Sequence, residues 1–290
     1  MKLVGGLGNQ LFCYFAGYDL ATRTNSGLEL DVADIRSGIS AHAVSIESLS
    51  LPGNFTTGGS SRFFSKLKLR DVLVRVSRKF DVPILSSKKV LISKEIGFDK
   101  NVMSVMPGSS LFGYFQTYRH FFPYKHEFQD VCLRNPSSWF EENLQRIKLE
   151  KVVTVHVRRG DYSGLADTYG LLSADYYKQA MNIILEIMPN SIFWVFSDDL
   201  DLAELLLKDV LPSNTFWVKP PADHDAAETM LLMANASGNI IANSTFSWWG
   251  AALNSNGGSV VVPSQWFKAM PDPIDLYHPD WIKAESSWVK

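Results

Sequence analysis

The sequence predicts an α/β protein of two domains with parallel sheets. Its 290 residues are about two domains' worth at ~150 residues each. The second half alternates short β-branched runs with amphipathic stretches, the rhythm of strand–helix–strand units wound on both faces of a parallel sheet. Residues 1–31 read as strand, Gly-rich turn, helix, strand. With 46% hydrophobic and 20% charged residues, the composition is ordinary for a globular protein, and each half can bury a core.

Taken in order, Lys2-Leu3-Val4 is a short first strand and Gly5-Gly6-Leu7-Gly8 the turn after it. Leu11 to Thr22 is a helix with Leu11, Phe12, Phe15 and Leu20 on its apolar face, and Leu28 to Asp31 the next strand. Residues 50–62 are a loop by their Gly, Ser, Thr and Pro content. From Arg62 to Lys94 the chain is dense in Lys and Arg, with only Asp71 and Asp81 opposing them. Leu69, Leu73, Val76 and Phe80 recur there at helical spacing, so part of it reads as a basic amphipathic helix. The domain boundary falls near residues 135–150, giving domains 1–145 and 146–290. Val152–Val157 is a buried strand, Asp175–Met188 a helix, Ile192–Phe196 a strand and Leu200–Lys208 a helix. Ala226–Ala236 is a helix closed by Ser237-Gly238, followed by strand 239–242, helix 246–253 and strand 259–263.

Several function classes are disfavoured at once. A net charge of −2 offers no global electrostatic case for nucleic acid. Two cysteines, Cys13 and Cys132, make neither a disulfide framework nor a zinc set. No apolar run reaches signal or membrane-span length, so a cytoplasmic protein is expected. The sequons at Asn54, Asn235 and Asn243 are then chance. The basic stretch 62–94 reads as a solvated helix face or, alternatively, as a peripheral contact with anionic lipids at the inner face of the membrane.

Four segments carry candidate chemistry. Gly5-Gly6-Leu7-Gly8-Asn9-Gln10 joins a strand to a helix, where backbone can approach a ligand and the helix N-terminus favours anions. It lacks the Gly-Lys-Ser/Thr of a P-loop. Gly6 and Gly8, with Asp31 further on, half-match a dinucleotide fingerprint, but Leu11 occupies the third glycine slot. A plain tight turn is the competing reading. His156-Val157-Arg158-Arg159-Gly160-Asp161-Tyr162 ends a buried strand, where open α/β sheets bind ligands. A guanidinium there can fork onto a pyrophosphate, or an Arg can simply pair with Asp161. Asp198 and Asp199 end the next strand, as acceptors for a nucleotide or as helix caps. Asn243-Ser244-Thr245-Phe246-Ser247-Trp248-Trp249 opens a helix that could cradle phosphate, with Trp249 read as core. Glu228 is a ribose acceptor or a first-turn charge favoured by the helix dipole. Together these segments describe a nucleotide-diphosphate site on consecutive strand ends.

Three of them also resemble a family. Gly5-Gly-Leu-Gly-Asn-Gln-Leu-Phe12, His156-Val-Arg-Arg-Gly-Asp-Tyr162 and Ser244-Thr-Phe-Ser-Trp-Trp-Gly-Ala-Ala-Leu253 look like the signatures of the α-1,2-fucosyltransferases, glycosyltransferase family 11. The resemblance implies a GT-B-type fold of two Rossmann-like domains facing across a cleft, the N-terminal one on the acceptor side and the C-terminal one holding the donor. It implies inverting, metal-independent transfer of L-fucose from GDP-β-L-fucose to the 2-hydroxyl of a terminal galactose, on a surface glycan that can be lipid-linked. By the same resemblance Arg158 holds the β-phosphate, His156 and Asp198 the guanosine, and Ser244, Thr245 and Phe246 the phosphate and fucose. Gly6 and Gly8 belong to the donor site, and Asn9 reaches toward fucose and acceptor. No resident cofactor or metal is implied; Asp223-His224-Asp225 is the one segment resembling a metal-binding Asp-x-Asp. For the general base Asp167 is the candidate, with Asp161 closer to the arginines. The rival readings are an NAD(P)-dependent oxidoreductase resting on Gly6, Gly8 and Asp31, a non-catalytic sugar-nucleotide or glycan-binding protein, and transfer of fucose to protein Ser or Thr.

Overall fold

The computed structural model describes residues 1–38, 42–57, 90–160, 164 and 166–289. The expected amphipathic helix around 69–80, most of the basic stretch, and Asp161 lie outside them. The chain forms two compact units, the first of residues 1–47, 51–124 and 273–276, the second of 48–50, 125–272 and 277–290. This division falls earlier than the expected boundary at 145/146. The reason is a helix the sequence reading did not propose, Ser138–Leu149, which packs on the helix Ala226–Ala234 of the second unit.

In the first unit, helix α1 (Leu7–Arg23) starts four residues before the expected Leu11. It is buried on nearly every side, including Gln10 and Asp19, so its sequence shows no clean apolar face. Strands β1 (Glu29–Asp31) and β2 (Asn54–Thr56) pair in parallel, which places a strand inside the segment read as loop. After a short helix α2 (Ala33–Arg36), strands β3 (Val90–Ile92) and β4 (Ser110–Phe112) form a second parallel pair. Residues 1–3 are too short for a regular strand but join the two pairs. Lys2 N–H donates to Leu111 O, and Leu3 N–H to Asp31 O. The Gly-rich turn thus leaves the middle of this layer.

The second unit holds a six-stranded parallel sheet. Its strands are β5 (Val152–Val157), β6 (Ile192–Ser197), β7 (Thr215–Trp217), β8 (Gly238–Ile240), β9 (Ser259–Pro263) and β10 (Ile282–Ala284). Their order is β10-β9-β8-β5-β6-β7, with β7 and β10 the two strands not anticipated. All six residues of β5 are buried, as a central strand covered on both faces requires. The helices are α3 (Ser138–Leu149), the short α4 (Ala166–Tyr169), α5 (Ala174–Ile187), α6 (Leu200–Leu207), α7 (Ala226–Ala234) and α8 (Thr245–Ala252). A core of Val153, Val155, Phe193, Val195, Tyr176, Ile184 and Ile240 seats α5 on the sheet.

Buried amides tie β5 to β8. Asn239 Nδ2 donates to Thr154 Oγ1 at 2.7 Å, and Asn254 Nδ2 donates to Asn239 Oδ1 at 2.9 Å. Trp248 and Trp249 are both fully buried, 4.8 Å apart in edge contact, so both are core. Gly250 lets α8 close on α7, since a Cβ there would lie 2.9 Å from Met233 Cβ.

Gly170 ends α4 with φ +80°, and a Cβ would run into the Trp288 ring. Gly170→Ala is expected to lose about 1–3 kcal/mol in chemical denaturation, from left-handed backbone strain plus the clash. Gly27→Ala, with open space around the position, is expected to stay within about 0.5 kcal/mol.

Candidate functional site

Sheet order decides where a site can form. From β5 the chain steps to β6 and β7 on one side, and then returns to lay β8, β9 and β10 on the other. Loops leaving β5 and β8 therefore diverge, and a crevice opens at their carboxyl ends, the position where such sheets bind ligands. Three of the four chemical segments reach this end of the second unit: His156 to Gly160 after β5, Asp198 after β6, and Asn243 to Phe246 after β8. The His156 and Phe246 rings lie 5.7 Å apart and tilted by 36°, so the β5 and β8 segments meet.

The two arginines divide their roles. Arg159 is 4% exposed, and its guanidinium donates to Leu172 O. It is a structural post for the turn before α5. Arg158 is partly exposed and its Nε lies 3.2 Å from Asp198 Oδ2. The other oxygen, Asp198 Oδ1, accepts the Arg159 backbone N–H at 2.8 Å. One carboxylate just after β6 thus clamps the turn leaving β5 and aims Arg158. Gly160 permits it, since a Cβ there would lie 2.7 Å from Asp198 Oδ2. Asp198, expected at the guanosine, is thus engaged with the arginine turn through both carboxylate oxygens. Asp199 is the cap, accepting from Leu202 N–H at 3.0 Å.

His156 is 3% exposed, and its Nδ1 is buried without a hydrogen-bond partner among the described residues. Burial above all, and then the charge of Arg158, push its imidazole down to about 3. It is a neutral donor–acceptor across the physiological range. Facing it, α8 begins at Ser244, which makes no side-chain cap. Among the described residues, the Ser244 side chain thus leaves the first amides of the helix to another acceptor. A guanidinium, a neutral imidazole and an uncapped helix N-terminus on adjacent strand ends can hold a diphosphate.

Asn243 heads the segment the sequence reading marked but received no role of its own there; it secures the entry to α8. Its Nδ2 lies 3.0, 3.2 and 3.2 Å from the carbonyls of Tyr169, Gly170 and Trp266. It thereby ties α4, which carries Asp167, to the β8 end. Asp167 itself is exposed on α4. Glu228 is 3% exposed and caps α3 from α7, accepting Ser137 N–H at 2.8 Å and Ser137 Oγ at 2.9 Å. The ribose reading of Glu228 falls with that. Asp225 caps α7 through Ala227 N–H at 2.8 Å and also accepts from Ser48 Oγ, so the Asp223–Asp225 segment serves the fold. Among the described residues no group of three or more His, Cys, Asp or Glu could hold a metal ion.

In the first unit the Gly-rich turn is filled by its own Gln10, fully buried. Gln10 Nε2 donates to Gly5 O at 2.9 Å and Ala43 O at 2.7 Å, and its Oε1 accepts Ile46 N–H at 3.2 Å. Asp31 Oδ1 accepts Ala33 N–H at 3.0 Å. Both features of the dinucleotide half-match thus have structural work. Gly6 precedes α1 as its cap residue, Gly8 is buried in its first turn, and Asn9 is half-buried beside them.

Two outcomes follow from this geometry. The folded His156 resists the proton that the unfolded chain binds near pH 6.5, so the unfolded state binds more protons between about pH 3 and 6.5. Stability from this residue is full above that range and falls as pH drops through it. His156→Gln is expected to flatten this acid limb in unfolding midpoints measured from pH 7 to 4. Glu228→Ala is expected to cost about 1.5–3 kcal/mol of stability, the value of bonds to a charged group, without weakening ligand binding to the folded protein.

Comparison with known proteins agrees with the geometry. A model of glycosyl transferase family 11 matches residues 97–285. The chain is 29% identical over 293 residues to an alpha-1,2-colitosyltransferase of Escherichia coli, covering 98% of each. It is also 29% identical over 296 residues to the O-antigen biosynthesis glycosyltransferase WbnK of Escherichia coli, covering 91% of this chain and 93% of that one. Among solved structures, NodZ alpha-1,6-fucosyltransferase soaked with GDP-fucose is similar at a TM-score of 0.51 and 13% identity, over 94% of this chain and 98% of that one. Fucosyltransferase NodZ from Bradyrhizobium matches at 0.50 and 14%, over 86% and 90%. At that identity the likeness speaks to the fold, which is of the GT-B type. With the family model spanning well over half of its length, the chain belongs to glycosyl transferase family 11 and is a glycosyltransferase.

Proposed function

We propose that the protein transfers L-fucose from GDP-β-L-fucose to the 2-hydroxyl of a terminal galactose, with inversion and without a metal. One observation carries the reading: Arg158, neutral His156 and the uncapped start of α8 converge at the β5–β8 switch point. Such a site neutralises a leaving diphosphate with protein charge. The α8 amides and the Ser244 and Thr245 hydroxyls receive phosphate oxygens. Arg158, aimed by Asp198, takes the charge that grows as the glycosidic bond breaks. Phe246 packs against the His156 ring and shields this face from water. Membership in the family supports a nucleotide-sugar held in this unit, and the names of the relatives support α-1,2 transfer into a surface glycan.

On this reading Arg158 and Asn9 are the groups that act on the reacting centre, and Asp167 is the base that takes the acceptor proton. Asp167 sits on a four-residue helix anchored through Asn243. A colitosyl donor is the second reading, favoured by the name of the relative matched along almost the whole chain.

The test is GDP release in EDTA, from GDP-fucose and from GDP-colitose, with lactose, Galβ1-3GalNAc and Galβ1-3GlcNAc as acceptors. Galactoside-dependent release from GDP-fucose is the expected result. Release from GDP-colitose alone reassigns the donor, and release that requires an added divalent cation overturns the metal-free chemistry. Arg158→Ala is expected to lower kcat about 10²–10³-fold, as losing one preorganised donor to developing charge does. Asp167→Asn is expected to lower kcat about 10²-fold or more at saturating acceptor, and near-normal turnover would remove Asp167 as the base.

A further inference from the structure

We infer that Gln116 is a positioning residue that sets which edge of the Asn9 side-chain amide is offered to the substrate. This rests on the reading above, in which Asn9 contacts the transferred sugar or its acceptor. Asn9 stands in the first turn of α1. Gly5, with φ +68°, leaves room for its amide, since a Cβ there would lie 2.7 Å from Asn9 Nδ2. Gln116 Nε2 donates to Asn9 Oδ1 at 3.0 Å. The carbonyl edge of Asn9 is therefore occupied, and its N–H2 edge remains to donate to a sugar oxygen.

Gln116 is built for this contact. It is 7% exposed, and its backbone N–H donates to Ile96 O at 2.7 Å. Its Oε1 is buried with no partner among the described residues, so the bond to Asn9 is the side chain's one hydrogen bond there. The residue before it, Phe115, is fully buried with φ +50°. A left-handed bulky residue costs about 1–3 kcal/mol and persists only where its surroundings hold it. Here Ala16, Leu20, Val102 and Leu111 pack around Phe115. Thr117 N–H closes the turn on Phe115 O at 2.8 Å, and Thr117 Oγ1 donates to Asp275 O at 2.8 Å. The strained turn points Gln116 at α1.

The chemistry predicts losses of different size for two near-isosteric changes. Gln116→Met removes the donor and frees the Asn9 amide to rotate. Gln116→Glu replaces the donor by an acceptor, so Asn9 must turn its N–H2 toward residue 116 and offer its carbonyl instead.

The experiment is a double-mutant cycle. It measures kcat, donor KM and acceptor KM for Gln116→Met, Gln116→Glu, Asn9→Ala and the two double variants, with unfolding midpoints as a check on folding. Gln116→Met is expected to lower kcat about tenfold with donor KM unchanged, and Gln116→Glu about 100-fold. In the Asn9→Ala background neither change should lower kcat further, which a merely structural role would not produce. Additive losses, or wild-type turnover in Gln116→Glu, overturn the inference. If the wild-type enzyme transfers fucose and Asn9→Ala keeps full turnover, the inference falls while the donor reading stands. If only a colitosyl donor is used, the donor reading falls and the same cycle with that donor decides the inference. Transfer from neither donor overturns both.

Discussion

Strands β6 and β8 lie on opposite sides of β5, so the loops that follow β5 and β8 part from one another at their carboxyl ends. The rest of the candidate site depends on that parting. Polar groups at the ends of parallel strands must find partners, and around this gap the His156 Nδ1 and the start of α8 find none from side chains among the described residues, while Arg158 is aimed by Asp198. On the other side, direct pairing of β5 with β6 lets one carboxylate, Asp198 just after β6, reach the β5 turn and hold it.

The site separates charge from neutrality within a few residues. His156 is buried beside a guanidinium, and both conditions favour the neutral ring. Arg159 is sealed below the turn by its bond to Leu172 O, which leaves Arg158 as the partly exposed cation. A diphosphate bound there would meet one aimed positive charge and a set of dipoles, with little reorganisation as its own charge grows. Asn243 ties the end of α4 to the start of α8 through the carbonyls of Tyr169 and Gly170.

Much of this was legible in the residues. The continuous apolar run of β5, the helix patterns of α5 and α6, and the Gly-rich turn follow from local periodicity and from groups that only a turn or strand end can use. Strands β2 to β4, β7 and β10 have three residues each, too few to show a period, and β2 lies among Gly, Asn and Thr that argue for a loop. Helix α1 hid its extent because it is buried all round, with Gln10 and Asp19 among its inward residues.

By itself the sequence determined the fold class, the strands that carry chemistry and the residue types at their ends, because those depend on neighbours along the chain. The tertiary structure decided which of them act together. Whether Asp198 meets the arginine turn, whether Glu228 meets a ribose or the start of α3, and whether Arg158 or Arg159 is the aimed cation are questions of distance between segments far apart in sequence. Each polar group takes the partner that packing brings within hydrogen-bond reach. No spacing within a single segment encodes that choice.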